Sequence, residues 1–193
     1  MTKRIKVIFP VPINEHTRGL IASQVPKEFI RPGFDVEFTG SKRLGTLANS
    51  YYDMYIMDTI VIEAGVAAEQ EGFDAVCINT VSDSGLYALR SRLKIPVIGP
   101  GQASFHLASM LGHRFSILTM WEPWVPLYRK TLKEYGLEHQ CASIRHIDTR
   151  PDVRELLQGK EEIVFAKLEA AARTAIEQDG ADVIILGSTT MHQ

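Results

Sequence analysis

Two nine-residue stretches, GFDAVCINT at residues 72–80 and GADVIILGS at residues 180–188, decide the fold class. They align without a gap, because each opens with Gly-x-Asp, continues as a short apolar run and ends in a hydroxyl-bearing residue, Thr80 or Ser188. A repeated sequence predicts a repeated structural unit. Ordinary turn composition around α/β strands would be the alternative explanation. We take the repeat as evidence for two similar halves.

Outside these stretches, short β-branched runs alternate with longer helical patterns, which predicts parallel sheets covered by helices. The predicted fold class is therefore α/β, with two pseudo-symmetric lobes at residues 1–99 and 100–193. Each lobe is a parallel sheet flanked by helices, and the active site is expected in the cleft between them. The predicted strands cover residues 5–9, 35–39, 75–79, 96–99, 114–119, 141–147 and 181–187, and the predicted helices cover residues 49–71, 86–94, 103–111, 125–135 and 161–178.

The longest predicted helix carries apolar residues at fourfold spacing, namely Tyr52, Ile56, Ile60 and Ala64. Such a stripe indicates packing in the core or at a subunit interface. The protein is therefore expected to form a homo-oligomer.

Composition narrows the function classes. The 21 Lys and Arg residues balance 23 Asp and Glu residues and are scattered, so neither a nucleic acid nor an anionic membrane is an expected partner. The two cysteines, Cys77 and Cys141, lack the spacing of a disulfide framework or a zinc site, and together with the lack of a signal-like segment they favour a cytoplasmic protein. No histidine pattern, GxGxxG or Walker loop is present, so no metal and no cofactor are expected. A small-molecule substrate is the predicted partner.

In open α/β sheets, ligands bind beyond the carboxyl ends of the strands, where Thr80 and Ser188 fall. After Thr80, the residues Ser82 and Asp83 precede a predicted helix, where they can cap the helix, help bind an anion, or both. The candidate catalytic residues are Thr80, Ser188 and Asp83. The candidate substrate-binding residues, all in turns after strands, are Pro12, Asn14, Val81, Ser82, Gln102, Thr119, Thr189, Thr190 and His192.

For the proline in this set, turn geometry is an equally good explanation. Trp121 and Trp124 follow the fifth predicted strand and are expected to pack within their lobe. The chain stops soon after Ser188, where a doubly wound lobe would continue with a helix, so further C-terminal structure is expected to be absent from this sequence or disordered.

Three segments resemble the aspartate/glutamate/hydantoin racemase superfamily, especially its hydantoin- and allantoin-racemase branch. They are TVSDSGL at residues 80–86, IPVIGPGQASFHLASMLGHRFSILTM at residues 95–120 and VIILGSTTM at residues 183–191. The resemblance implies two pseudo-symmetric lobes. It also implies a cysteine at the end of each repeated strand, where one thiol removes a proton from a substrate carbon and the other returns it to the opposite face.

In this chain those two positions correspond to Thr80 and Ser188, so both thiols are replaced. A thiol has a pKa of about 8.5, whereas an aliphatic hydroxyl has no comparable anion near neutral pH. Cys77 lies inside its strand and does not substitute for them. A two-thiol mechanism is therefore excluded for the sequence as it stands.

The first functional hypothesis is a racemase or isomerase acting next to a carbonyl of a small carboxylate, imide or hydantoin-type compound, through an enolate-like intermediate. Asp83 is the first candidate base, followed by Glu122, His16 and His192.

Two alternatives remain open. Relatives with one cysteine resemble arylmalonate decarboxylases, so a lyase or hydrolase with Ser188 as nucleophile is the second hypothesis, with His192 four residues further on. The third is a non-catalytic binding or accessory protein, since proteins resembling this branch sometimes carry a hydrogenase-expression description.

Overall fold

The structure is a computed structural model and describes residues 2–14, 18–19, 25, 27–43, 48–150, 161–188 and 191. The chain divides into two compact units, Met1–Pro100 and Gly101–Gln193, called lobe 1 and lobe 2 below. Among the described residues, no helix has the length and apolar character needed to cross a membrane.

Lobe 1 contains a four-stranded parallel sheet in the order β2-β1-β3-β4. Apolar side chains of β1, β3 and both flanking helices form its core, with Ile8, Val61, Val76 and Leu89 fully buried. The elements are β1 (Lys3–Phe9), β2 (Phe34–Gly40), α1 (Tyr51–Gly65), β3 (Ala75–Ile78), α2 (Leu86–Arg92) and β4 (Val97–Ile98), with a short 3₁₀ helix at Lys27–Phe29.

Lobe 2 contains a three-stranded parallel sheet in the order β6-β5-β7. All five residues of the central strand β5 are buried because it has a neighbour on each side and helices pack over the sheet. The elements are α3 (Pro100–Leu111), β5 (Phe115–Thr119), α4 (Val125–Tyr135), β6 (Cys141–His146), α5 (Glu161–Glu177) and β7 (Val183–Leu186), with 3₁₀ helices at Glu122–Trp124 and Glu138–Gln140.

The predicted α/β fold with two parallel sheets flanked by helices is confirmed. Each predicted strand is present with its ends within two residues of the prediction. The prediction for the longest helix is wrong at its C-terminal end, since α1 stops at Gly65 rather than at residue 71. Glycine is a poor helix former, and the chain then runs through turns to Gly72, which has a positive φ of 79°.

The predicted apolar stripe of α1 is also corrected. Tyr52 is 73% exposed and Ile56 is 38% exposed, whereas the buried residues of the helix are Met54, Met57, Ile60, Val61 and Gly65. Four residues advance a helix by about 40° more than one turn, so a strict fourfold repeat winds away from the core face. The prediction of core packing is therefore confirmed for Ile60 and wrong for Tyr52 and Ile56. The predicted subunit interface stays a prediction.

The internal repeat has the same hydrogen bonds in both lobes. Asp74 N donates to Arg4 O at 2.8 Å, and the Asp74 carboxylate accepts from Arg4 N at 2.9 Å. In lobe 2, Asp182 N donates to Arg114 O at 2.8 Å, and the Asp182 carboxylate accepts from Arg114 N at 3.1 Å. The two Gly-x-Asp motifs therefore dock each repeated strand onto the start of its neighbour. This docking makes Thr80 and Ser188 equivalent positions.

Candidate active site

Residues 80–85, called the Thr80 turn, connect β3 to α2 at the carboxyl edge of the lobe 1 sheet. Asp83 N donates to Thr80 O at 2.9 Å, and Leu86 N donates to Asp83 O at 3.1 Å. Asp83 and Gly85 both have positive φ, at 52° and 70°. Few non-glycine residues adopt this conformation, although Asp is among the most tolerant of it. The turn is therefore tight and closed by its own backbone.

The Thr80 hydroxyl group acts as a hydrogen-bond acceptor within this turn. Its oxygen accepts a hydrogen bond from Ser84 N at 3.0 Å. An amide can only donate, so the hydroxyl proton of Thr80 stays available for another acceptor. The N–H groups of Val81 and Ser82 also have no partner among the described residues. The turn thus has three hydrogen-bond donors that have no acceptor among the described residues: the Thr80 hydroxyl and the Val81 and Ser82 amides.

A carboxylate from α1 supports the turn. Asp58 Oδ1 accepts from Gly85 N at 3.0 Å, at the N-terminal end of α2. A negative charge there satisfies an amide that the helix leaves unpaired and interacts favourably with the helix dipole. Asp58 was not among the predicted site residues, because it lies 27 residues before Gly85 in the sequence. Its only signal was a charged residue in the middle of an apolar helix.

Asp83, the first candidate base, is 6% exposed. Its carboxyl group lies against Gly99, where an added Cβ would approach Oδ1 to 2.5 Å. Burial, together with the nearby Asp83 charge, raises the pKa of the Cys77 thiol to about 11. Near neutral pH, Cys77 is therefore a protonated, poorly nucleophilic thiol beneath the turn.

The corresponding segment of lobe 2 is the Ser188 turn, of which Gly187, Ser188 and Met191 are described. Gly187 N donates to Leu118 O at 2.7 Å, and Gly187 O accepts from the Tyr128 hydroxyl at 2.5 Å. Met191 N donates to Ser188 O at 3.1 Å, and the Met191 side chain is buried in the lobe 2 core. The chain around Ser188 is therefore anchored on both sides.

Thr119 was predicted to contact substrate, but its exposed fraction is 0% and its hydroxyl lies 3.3 Å from the Tyr128 hydroxyl. The Thr119 side chain therefore lies inside lobe 2, in contact with the tyrosine that bonds to Gly187. Glu122, a secondary candidate base, is exposed. Trp121 and Trp124 pack against the lobe 2 core, as predicted.

The other predicted residues fall into three groups. Pro12 and Asn14 are exposed just after β1, in a segment that crosses Gly40 so closely that an added Cβ there would lie 2.5 Å from Ile13 N. Val81, Ser82 and Gln102 are half-buried, the last within the first turn of α3. The predictions for Thr189, Thr190, His16 and His192 lie outside the described residues. In the part of the chain that the structure describes, no three His, Cys, Asp or Glu side chains converge as a metal site would require.

These turns can be compared with those of known proteins. A family model described as Asp/Glu/Hydantoin racemase matches residues 14–193. This chain belongs to that family. The matched region includes both the Thr80 turn and the Ser188 turn.

The relatives lie in the predicted branch of the family. A hydantoin racemase from Pseudomonas sp. (strain NS671) is 31% identical over 188 residues, covering 97% of this chain and 74% of that protein. An allantoin racemase structure from Klebsiella pneumoniae has a TM-score of 0.86 and 28% identity, covering 98% of this chain and 76% of the other. For the allantoin racemase from Pseudomonas fluorescens these values are 0.83, 28%, 97% and 77%. The resemblance to the hydantoin- and allantoin-racemase branch is confirmed.

Proposed function

We propose that this family member is a racemase or isomerase that acts on a hydantoin-type ring, through an enolate-like intermediate and without a pair of thiols. Hydantoin and allantoin racemases are the relatives named above, and allantoin itself contains the hydantoin ring. The reacting carbon of such a ring lies next to a carbonyl. The proposed substrate class is therefore narrower than the one predicted from the sequence, which also included small carboxylates and imides.

The observation that supports this proposal is the hydrogen bond that the Thr80 hydroxyl oxygen accepts. When the ring carbon loses its proton, negative charge develops on the neighbouring carbonyl oxygen, and donors aimed at that oxygen lower the barrier. The Thr80 oxygen accepts from Ser84 N, which leaves the hydroxyl proton to donate to the developing oxyanion. The amides of Val81 and Ser82 add two donors beside it.

The proposal places Thr80 and Ser188 at the positions of the family's two cysteines. A hydroxyl there can donate a hydrogen bond but cannot act as the base near neutral pH. The proton carrier must therefore be another group. Asp83 is the carboxylate within the Thr80 turn, and we assign it the removal of the proton from one face of the ring carbon, with solvent water returning a proton to the opposite face.

The test is deuterium incorporation at the ring carbon of 5-substituted hydantoins and allantoin, followed by NMR in deuterated water. Thr80→Val removes the hydroxyl at almost constant shape, and loss of one oxyanion donor lowers kcat by roughly 10²- to 10³-fold. Thr80→Ser keeps a hydroxyl and should retain most of the exchange. Thr59→Val is the matched control, because Thr59 is exposed on α1 and its hydroxyl donates to Tyr55 O within the same helix. Equal exchange by Thr80→Val and the unaltered protein would contradict the proposal.

Asp83→Asn tests the proton carrier separately. We expect exchange to be lost while the unfolding midpoint changes little, since Asn also tolerates a positive φ. Unchanged exchange would exclude Asp83 as the base.

Two further outcomes would replace the proposed function. A covalent adduct seen by mass spectrometry and lost in Ser188→Ala would indicate a hydrolase or lyase. Exchange that appears only in the Thr80→Cys plus Ser188→Cys double variant would indicate a binding protein.

A further inference from the structure

Tyr128 lies beneath the Ser188 turn, on the side of α4 that faces the core. Its side chain is buried, with 4% of the residue exposed, and its hydroxyl donates to Gly187 O at 2.5 Å. The same hydroxyl lies 3.3 Å from Thr119 Oγ1, at the end of β5. One phenol thus connects a helix, the last residue of a strand and the peptide that leads into Ser188.

Gly187 is fitted to this phenol. Its N–H donates to Leu118 O at 2.7 Å, so both polar groups of the residue are held by lobe 2. An added Cβ would lie 2.9 Å from Leu118 O and 2.9 Å from the Tyr128 hydroxyl. Only a glycine lets the tyrosine approach so closely.

The geometry points to a role beyond packing: we infer that Tyr128 is a positioning residue for Ser188. The Gly187 carbonyl and the Ser188 N–H belong to the same peptide group, which is planar. A donor fixed on the carbonyl therefore fixes the direction of the N–H and of the Ser188 side chain that follows. It also polarises the peptide and makes the N–H a stronger donor.

The phenol keeps this role over a wide pH range. Burial raises the pKa of Tyr128 to about 12, although the hydrogen bond with Thr119 opposes this shift. The hydroxyl therefore remains a proton donor at the pH of any ordinary assay. Arg129, the neighbouring residue of α4, is exposed. The arrangement does not depend on titration of Tyr128.

The inference rests on the proposed function only in assuming that the Ser188 turn belongs to the site. Its test therefore needs no substrate. A thiol introduced by Ser188→Cys reports on its surroundings through the rate and pH profile of its alkylation by iodoacetamide, since only the thiolate reacts. The background is low, because burial raises the pKa values of Cys77 and Cys141 to about 11.

The experiment compares Ser188→Cys alone with Ser188→Cys plus Tyr128→Phe. Loss of one neutral hydrogen bond to the peptide should change the second-order alkylation rate near neutral pH by roughly 5- to 10-fold and shift its pH profile. Tyr135→Phe, in the same helix, is the matched control and should leave both unchanged. The thiol introduced by Thr80→Cys should not respond to Tyr128→Phe.

Identical alkylation of the Ser188→Cys thiol with and without the Tyr128 hydroxyl would overturn the inference. If Tyr128→Phe does not fold, the unaltered protein still decides the matter by NMR. A slowly exchanging phenolic proton, coupled to the Tyr128 ring and close to Ser188, is expected, and a rapidly exchanging one would contradict the inference. Loss of deuterium exchange on hydantoins would bear on the proposed function and not on these readouts.

Discussion

The Thr80 turn and the Ser188 turn follow equivalent strands, but different chemistry holds each of them. In lobe 1, carboxylates provide the support, because Asp58 accepts from Gly85 N and Asp83 packs against Gly99. In lobe 2, a neutral phenol donates to Gly187 O instead. The repeat preserves the strands and their docking, while each lobe has its own means of fixing the residue that follows.

The same contrast recurs at the opposite end of the repeated strands. Glu71 and Asp179 occupy equivalent positions just before the Gly-x-Asp motifs, and the carbonyl of each accepts from an arginine, Arg4 or Arg114. Their carboxylates differ in partner. Glu71 pairs with Lys6 of β1, and Asp179 pairs with Arg145 of β6. Backbone docking is therefore shared, and side-chain pairing is particular to each lobe.

The two glycines that face the turn supports should differ most in their response to substitution. Gly187→Ala places a methyl group against a backbone carbonyl and the rigid Tyr128 ring, so it should destabilise the protein by roughly 2–3 kcal/mol. For Gly99→Ala, the three atoms nearest to the added methyl group belong to the Asp83 carboxyl group, which can rotate, so the substitution should cost about 1 kcal/mol. Urea unfolding measures both values.

Gly19→Ala provides the control for this pair, since no atom of the described residues lies within 4 Å of the added methyl group. Its free energy of unfolding should equal or exceed that of the unaltered protein. A larger loss in Gly99→Ala than in Gly187→Ala would mean that the carboxylate-held turn is the more rigid of the two.

The equivalent ion pairs give the next largest effect. Glu71→Gln leaves the ammonium group of Lys6 without its carboxylate partner at 2.5 Å, and Lys6 is 3% exposed. Stranding a buried charge is costly, and we expect about 2 kcal/mol after allowing for the partly exposed Glu71. Asp179→Asn should cost about 1 kcal/mol, because the Arg145 side chain is 33% exposed and stays hydrated.

Adding Lys6→Met to Glu71→Gln should restore most of the lost stability, because an apolar side chain removes the unpaired charge. Equal losses for Glu71→Gln and Asp179→Asn, measured by thermal and urea unfolding, would show that burial of the cation does not distinguish the two pairs.

The smallest expected effect is in the acid range. The Arg145 guanidinium, with a further hydrogen bond from Ser143, lowers the pKa of Asp179 to about 2. The Arg114 and His113 amides lower the pKa of Asp182, and Lys3 with the Arg4 amide lowers that of Asp74. Folded-state pKa values below the unfolded ones mean stability that is present above about pH 4 and lost as the pH falls toward 2.

Asp179→Asn should therefore reduce the free energy of unfolding at pH 6 and make a smaller difference at pH 2.5. Asp182→Asn and Asp74→Asn should show the same trend more weakly. If Asp179→Asn lowers the free energy of unfolding by the same amount at pH 6 and at pH 2.5, the acid sensitivity does not come from Asp179.

Local patterns predicted the strands well, since β-branched runs and Gly-x-Asp punctuation act over a few residues. They predicted α1 less well. Apolar periodicity continues past Gly65, but the glycine and the turn leading to Gly72 end the helix there. For the site, the position of Thr80 after a strand was predictable from the sequence. That its hydroxyl oxygen accepts a hydrogen bond was not, because this depends on how the turn brings Ser84 N close to it.

By itself, the sequence determined that this protein has two repeated α/β units and that hydroxyl residues follow equivalent strands, because these features depend on neighbouring residues and on an internal repeat. Only the tertiary structure decided that Asp58 supports one turn and Tyr128 the other, and that Thr119 is buried rather than exposed. These contacts join residues 27 and 59 positions apart. Their formation depends on how helices pack against a finished sheet, which no short-range pattern encodes.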